Sequence, residues 1–163
     1  MKKLLRLTLA LALMLGLTAC GGKGENDAPP LYYPGHVEKI DEAGAFDPDL
    51  YDLEELDADT AFMLYKLGDY GLAQEDVKEC AVLRSAGASC EEAAVLVFTS
   101  ADKAETAEGA LKDYIDGQIA ANTDYRPAEI PKLENALISR RGESLLLVVA
   151  DNLDAAKEAV YEK

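Results

Sequence analysis

The stretch AAVLVFTSADKAETAEGALKDYIDGQIAAN, residues 93–122, decides the fold because it joins a buried strand to a long helix. Ala93 to Ser100 is apolar and rich in β-branched residues, which is typical of a strand near the middle of a sheet. From Ala101 to Asn122 the apolar residues recur at helical spacing. They form one stripe of Ala104, Ala107, Leu111, Ile115 and Ile119. The stretch therefore predicts a sheet with this helix packed against it, and Ser100 is placed to cap the helix.

Two predicted hairpins supply the strands around this unit. Val77 to Ser85 reads as a strand that pairs with Ala93 to Ser100, with Ala86–Ser89 as the loop between them. Lys132 to Arg141 and Glu143 to Ala150 form the second pair, because Gly142 between them can adopt the positive φ of a tight turn. The second hairpin contains LLLVV, residues 145–149, the most apolar run after the leader.

One helix is predicted before the hairpins and one after them. In Asp47 to Leu67 the apolar residues recur every three or four positions, with acidic residues in the first turn. Leu153 to Tyr161 has the same period. The order α-ββα-ββα predicts an α+β fold: a two-layer sandwich of a four-stranded antiparallel sheet with helices on one face. We assign this single domain to residues 47–163.

The first nineteen residues predict a lipoprotein signal peptide. Lys2, Lys3 and Arg6 precede an apolar run that is too short to anchor a protein across a bilayer. The run ends in Leu-Thr-Ala-Cys, residues 17–20, which resembles the lipobox of bacterial lipoproteins. That resemblance implies cleavage before Cys20 and lipidation of its sulfur. An ordinary secretory leader that happens to end near a cysteine is the alternative.

The lipoprotein signal peptide predicts a location outside the cytoplasm. Residues 20–46 read as the lipidated cysteine and a flexible tether, because Gly, Asn, Asp and Pro are frequent in their first half. Tyr32 and Tyr33 in this segment can dock on the domain or bind a glycan, and docking is the favoured alternative. The chain is thus expected to hang from a cell membrane by lipid on Cys20, at a Gram-positive cell surface.

Charge narrows the classes of partner. The chain carries a formal net charge of −15 at pH 7, and it becomes more negative without the basic leader. Nucleic acids are therefore not expected to bind, because their phosphates require Lys and Arg. The membrane, reached through lipid, is the expected partner, and an envelope protein is the partner class that this architecture allows.

Several short motifs resemble a known family. They run in order along the domain: Tyr70-Gly71-Leu72, Glu75-Asp76-Val77, Cys90-Glu91-Glu92-Ala93-Ala94-Val95, Tyr125-Arg126-Pro127, Leu133-Glu134-Asn135-Ala136-Leu137-Ile138, and Leu145 to Val149 before Asp151. Their order resembles the small lipoproteins of domain of unknown function 4358, common in clostridial Gram-positive bacteria. The resemblance implies a surface lipoprotein and no particular activity. The cysteines at positions 80 and 90 are not residues that we associate with the family pattern, so the resemblance implies no role for either.

Candidate chemistry is sparse in the sequence. His36, the single histidine, is predicted to be a solvated loop residue, so no catalytic triad is expected. Cys80 and Cys90 are expected to lie too far apart along facing strands for a disulfide, with Cys80 buried as a small apolar residue. No metal ligand set and no cofactor motif is recognised.

Clusters of charge are interpreted as solvated surface. The acidic residues between Asp47 and Asp59 fail the EF-hand spacing, since Asp52 and Ala58 stand where Gly and Glu are needed. Arg140 and Arg141 are placed at a hairpin tip. These observations favour a non-enzymatic binding or accessory module over the alternative, an envelope hydrolase that uses carboxylates we cannot identify.

Overall fold

A computed structural model of the chain describes residues 30–50 and 52–161. The predicted signal peptide, Cys20 and the first part of the predicted tether lie outside these residues. Within them, no helix combines the length and the apolar content that crossing a bilayer requires.

The architecture is a mixed α+β fold around one antiparallel sheet. The strands are β1 (Leu53–Leu56), β2 (Val77–Ser85), β3 (Glu92–Phe98), β4 (Leu137–Arg141) and β5 (Ser144–Val149). They lie in the order β1-β2-β3-β5-β4. Both predicted hairpins are present, and their central strands β3 and β5 pair with each other. The strand predicted from Lys132 begins only at Leu137, because residues 130–134 form a helix. The sheet has five strands, however, and the prediction of four is wrong.

The missing strand lies inside the segment predicted as one helix, Asp47 to Leu67. β1 pairs with the end of β2, with Leu53 opposite Ser85 and Leu56 opposite Val82. The helical spacing of leucines was a weak indicator, because a tertiary partner that offers a hydrogen-bonded edge overrides local propensity. Asp57 then starts a shorter helix by accepting a hydrogen bond from the Thr60 amide at 2.7 Å.

Five helices complete the described chain: α1 (Gly35–Glu42), α2 (Ala58–Leu64), α3 (Ala101–Asn122), α4 (Ile130–Glu134) and α5 (Leu153–Tyr161). The bounds of α3 and α5 are those predicted from the sequence. Ser100 caps α3, since its side chain accepts from the Lys103 amide at 3.4 Å. Gly142 has φ +55°, the conformation expected of the β4–β5 turn.

Helices cover both faces of the sheet, so the prediction of two layers with helices on one face is also wrong. Alternate residues of a strand point to opposite faces. Leu96 of β3 and Leu147 of β5 belong to the core beneath α3, whereas Val95 and Leu146 belong to a second core that includes residues of α1 and α5. All of β5 is buried.

Part of the predicted tether, residues 30–46, is folded onto the second core. Tyr32 is 1% exposed and Ile40 is fully buried. The Tyr32 amide donates to Ser144 Oγ at 2.8 Å, and the Arg141 guanidinium lies 4.4 Å from the Tyr32 ring centroid. The folded body therefore includes α1, because the outer face of β3 and β5 is apolar and must be covered.

Candidate functional site

A cleft in the described part of the chain lies between α3 and the segment that follows α2. We call it the tyrosine cleft, and its volume is 580 Å³. This size falls in the usual range for small-molecule sites. The lining is mixed, with three tyrosines, three charged residues and small residues: Leu64, Tyr65, Lys66, Asp69, Tyr70, Ala110, Asp113, Tyr114, Gly117 and Gln118.

Helix α3 supplies one wall of the tyrosine cleft through a single stripe. Its residues Ala110, Asp113, Tyr114, Gly117 and Gln118 are spaced by three or four positions, which places them on one helix face. A Cβ atom built on Gly117 would meet no atom within 4 Å outside the backbone of its own helix. Glycine in a helix interior costs about 0.5–1 kcal/mol relative to alanine. Gly117 therefore leaves the cleft open at a position where packing does not require glycine.

The opposite wall turns sharply at Lys66. Tyr65 is the C-terminal cap of α2. The next residue, Lys66, has φ +52°, in the left-handed region that residues other than glycine rarely adopt. A 3₁₀ turn, Leu67–Tyr70, follows directly. Residues held in such conformations are enriched at binding sites. The turn brings Tyr70 against α3, where its ring lies 3.7 Å from the position of a Cβ built on Gly109.

Two tyrosines that line the cleft, Tyr65 and Tyr114, also belong to a buried carboxylate network. Glu92, at the start of β3, is 2% exposed. It accepts hydrogen bonds from the hydroxyls of Tyr65 at 2.5 Å and Tyr114 at 2.7 Å. Arg84 Nε of β2 lies 3.2 Å from Glu92 Oε2, the oxygen that also accepts from Tyr114, and it donates to the Tyr114 hydroxyl oxygen at 3.3 Å. All three partners donate, which matches an ionised carboxylate.

Burial sets the proton affinities in this network. It raises the pKa of Glu92 above its ordinary value, against the hydrogen bonds from Tyr65 and Tyr114 and the charge of Arg84, which lower it. Burial also raises the pKa of both tyrosines, and the neighbouring carboxylate adds to the effect. The tyrosines therefore stay protonated as donors, and their rings meet edge to face at 5.1 Å.

The rim of the tyrosine cleft carries more negative than positive charge. Tyr70 donates a hydrogen bond to Asp113 across the entrance. Asp69 and Lys66 are exposed, and neither has a hydrogen bond or ion pair from its side chain to any residue that the structure describes. Two carboxylates and one ammonium group thus surround aromatic walls.

A second buried carboxylate lies one residue earlier but serves a different part of the fold. Glu91 is fully buried and accepts from the amides of Asp47 and Asp151, at 3.1 and 3.0 Å. The Lys132 ammonium lies 3.3 Å from Glu91 and 3.3 Å from Glu129. Burial lowers the pKa of Lys132, but the charges of Glu91 and Glu129 outweigh this effect, so the pKa is raised overall. We call this group the glutamate clamp, since it joins segments from four places in the chain.

Of the residues singled out from the sequence, Tyr70 lines the tyrosine cleft, whereas the two cysteines, His36 and the arginine pair lie outside its lining. Cys80 lies opposite Leu96, and both Cys80 and Cys90 are free thiols, as the expected separation along facing strands implied. Burial raises the pKa of Cys80 to about 11. His36 is 7% exposed, so the prediction of a solvated loop residue is wrong: it lies in α1 and stacks on Tyr33, with the ring centroids 3.9 Å apart.

The charged clusters have local partners. Arg140 pairs with Glu108 at 3.0 Å, and Arg141 lies between the rings of Tyr32 and Tyr161 rather than in solvent. Among the described residues, no three side chains of His, Cys, Asp or Glu come together as a metal site. Asp52, from the acidic run, accepts from Ser85 Oγ at 2.6 Å and so joins β1 to the hairpin loop.

The comparisons with known proteins return one result. A family model described as domain of unknown function (DUF4358) matches residues 48–150. No curated protein and no solved structure matches the chain. The matched residues contain the Glu92 network and most of the glutamate clamp, and they include both walls of the tyrosine cleft.

Proposed function

Since the chain belongs to the family described as domain of unknown function (DUF4358), which names no activity, we propose its role from sequence and geometry: a lipid-anchored extracytoplasmic binding module. The tyrosine cleft is its ligand site, and Cys20 is its anchor at a Gram-positive cell surface. The single observation that carries the binding role is the cleft itself, an open cavity of 580 Å³ lined by three tyrosines and three charged residues.

The anchoring role rests on the order of features in the leader. Positive charge, a short apolar run, small residues and a cysteine follow one another up to Cys20. Lipid chains contribute about 0.8 kcal/mol for each buried CH₂ group, so two or more chains hold a protein stably at a membrane. A surface location also suits the strongly acidic composition, which keeps a tethered domain soluble.

Replacing Cys20 by alanine is expected to abolish membrane association. Fractionation of expressing cells followed by immunoblotting measures the change, and intact mass spectrometry reports the added lipid. Wild-type protein should appear in the membrane fraction with a lipid mass, and the variant should appear with an unmodified leader. Cys80→Ser is the matched control, because that thiol lies in the folded domain. Equal membrane association of the wild type and Cys20→Ala would overturn the anchoring role.

The binding role rests on how the cleft is built. Two of its lining residues, Tyr65 and Tyr114, donate hydrogen bonds to Glu92. Glu92 also pairs with Arg84, and these contacts fix the positions of the side chains. Such preorganisation lowers the cost of ordering side chains when a ligand binds. Gly117 leaves the cavity open although glycine destabilises the helix, and this cost favours a binding function for the cavity.

Filling the cleft is expected to abolish ligand binding while the domain stays folded. Gly117→Leu places a side chain in open space and improves helix propensity, so stability should not fall. The control is Ala120→Leu, an exposed position of α3 outside the cleft lining. Tyrosine-selective NMR on the full chain, with a library of metabolites and wall saccharides, should show shifts of Tyr70 and Tyr114 that only Gly117→Leu removes. A library that moves no cleft tyrosine would overturn the binding role.

An accessory role beside an envelope protein, and an envelope hydrolase using carboxylates, stay as predictions from the sequence. The accessory role is compatible with a binding module, because a cleft ligand can belong to a larger assembly. The hydrolase would need a carboxylate that reaches a substrate, whereas Glu92 is already occupied by three donors.

A further inference from the structure

We propose that the tyrosine cleft selects small organic cations that carry a substituted ammonium group. The inference rests on the binding role proposed above and names the chemical class of its ligand. Two features of the cleft carry it: the charge of its rim and the polarisation of its tyrosines.

The rim favours a positive ligand. Asp69 and Asp113 stand against the single ammonium group of Lys66. The side chain of Asp69 has no hydrogen bond or ion pair within the described residues, so its carboxylate is free to meet an incoming charge. Lys66 is exposed, and a long lysine chain can swing its ammonium group away from the entrance at little cost.

The tyrosine rings are suited to face a cation. Tyr114 donates its hydroxyl proton to Glu92, and Tyr70 donates to Asp113. A phenol that donates to a carboxylate is polarised and carries more negative charge on its oxygen and ring. Cations within about 6 Å of a tyrosine ring are attracted by the negative ring face, and recognition of quaternary ammonium groups in aromatic sites uses this attraction.

The same features discriminate against anions. An anionic ligand would approach two carboxylates at the rim, and the chain as a whole carries −15. A negative surface raises the local concentration of cations and repels anions before contact. Arg84 does not reverse this balance, because its guanidinium lies 3.2 Å from Glu92 and is neutralised there.

The test compares an ammonium compound with its neutral isostere. Choline and 3,3-dimethylbutan-1-ol have the same shape and differ by the charge, so isothermal titration of both into the full chain isolates the cationic contribution. Tetramethylammonium and spermidine extend the panel, and acetate serves as the anion. We expect at least one ammonium compound to bind, choline to bind at least about tenfold more tightly than the neutral isostere, and acetate to show no binding.

Variants assign the effect to the rim. Asp69→Asn and Asp113→Asn each keep the size of the side chain and remove a charge, and each is expected to weaken ammonium binding about three- to tenfold. Asp116→Asn is the matched control, an exposed aspartate of α3 outside the lining, and should leave binding unchanged. A rise in salt should weaken binding to the wild type more than to either rim variant.

The outcomes separate the ligand class from the site. Two outcomes would overturn the cation proposal and leave the binding role standing. One is equal affinity for choline and its isostere. The other is a neutral or anionic compound that shifts Tyr70 and Tyr114 while no ammonium compound binds. Failure of every compound in the broader library to reach the cleft would overturn both. Loss of binding in Asp116→Asn equal to that in Asp69→Asn would overturn recognition at the rim.

Discussion

Replacing Glu92 by alanine is expected to lower the free energy of unfolding by about 3–5 kcal/mol. The carboxylate is 2% exposed and accepts from Tyr65 and Tyr114 while it neutralises Arg84. Its removal leaves three polar groups without their acceptor around a new cavity. Breaking one partner of a buried pair is costly because the remaining charge stays buried.

Urea denaturation followed by circular dichroism measures this change, with Glu54→Ala as the control. Glu54 is an exposed residue of β1, so its loss should change the free energy of unfolding by less than about 0.5 kcal/mol. Glu92→Gln keeps the shape of the side chain, so its loss in the free energy of unfolding should lie between those of Glu54→Ala and Glu92→Ala. A Glu92→Ala variant within about 1 kcal/mol of the wild type would contradict a structural role for the network.

The elements that the sequence predicted well are those with a strong local pattern. Helix α3 is long, has a capping serine and a continuous apolar stripe, and its bounds of Ala101 and Asn122 could be read directly. The β4–β5 turn was predictable for a similar reason, since Gly142 between two apolar runs leaves few conformations. Local patterns predict elements whose own residues determine them.

The elements that were missed depend on distant partners. β1 is four residues long and exists because β2 offers it a ladder. The coverage of both faces did have an indicator in LLLVV, residues 145–149, because a strand buried on one face should alternate between apolar and polar residues. The same indicator implies that both sheet faces are covered, but it does not say by which segments; the second face is covered by α1 and α5.

The site could not be predicted because its parts come together only in the tertiary fold. Glu92 meets Tyr65 and Tyr114 across separations of 27 and 22 residues. The predicted strand began at Ala93, which left Glu92 in a loop where a charged residue needs no explanation. Arg126, in a family motif, shows the same limit: it donates to the carbonyls of Gly87 and Ser89 and so holds the hairpin loop.

The two consecutive glutamates explain how a small domain combines a stable body with an open cleft. Glu91 precedes β3 and collects backbone amides at the end of the sheet, whereas Glu92 begins β3 and faces the helices that form the cleft. Each has its own set of donors. The cleft can therefore tolerate glycine at position 117 and a left-handed Lys66, because the body of the fold is fastened elsewhere.

Replacing Glu91 by alanine is the second change expected to have a large effect, a loss of about 3–4 kcal/mol in the free energy of unfolding. The amides of Asp47 and Asp151 would lose their acceptor, and Lys132 would keep only Glu129 as an ion-pair partner. Amide hydrogen exchange should rise at these two amides, which separates this variant from Glu92→Ala, whose exchange should rise around Tyr65 and Tyr114.

The matched control for the glutamate clamp is Glu134→Ala, an exposed glutamate at the end of α4, which should leave stability and exchange unchanged. The double variant Glu91→Leu with Lys132→Met tests the same point from the other side. It removes both charges together, and in a Glu129→Gln background, which avoids leaving the Glu129 carboxylate without Lys132, it should recover much of the stability lost in Glu91→Ala. If the double variant is no more stable than Glu91→Ala, the loss comes from the unmet amides of Asp47 and Asp151 rather than from Lys132. The body would then be fastened by backbone hydrogen bonds to one carboxylate rather than by the ion pair.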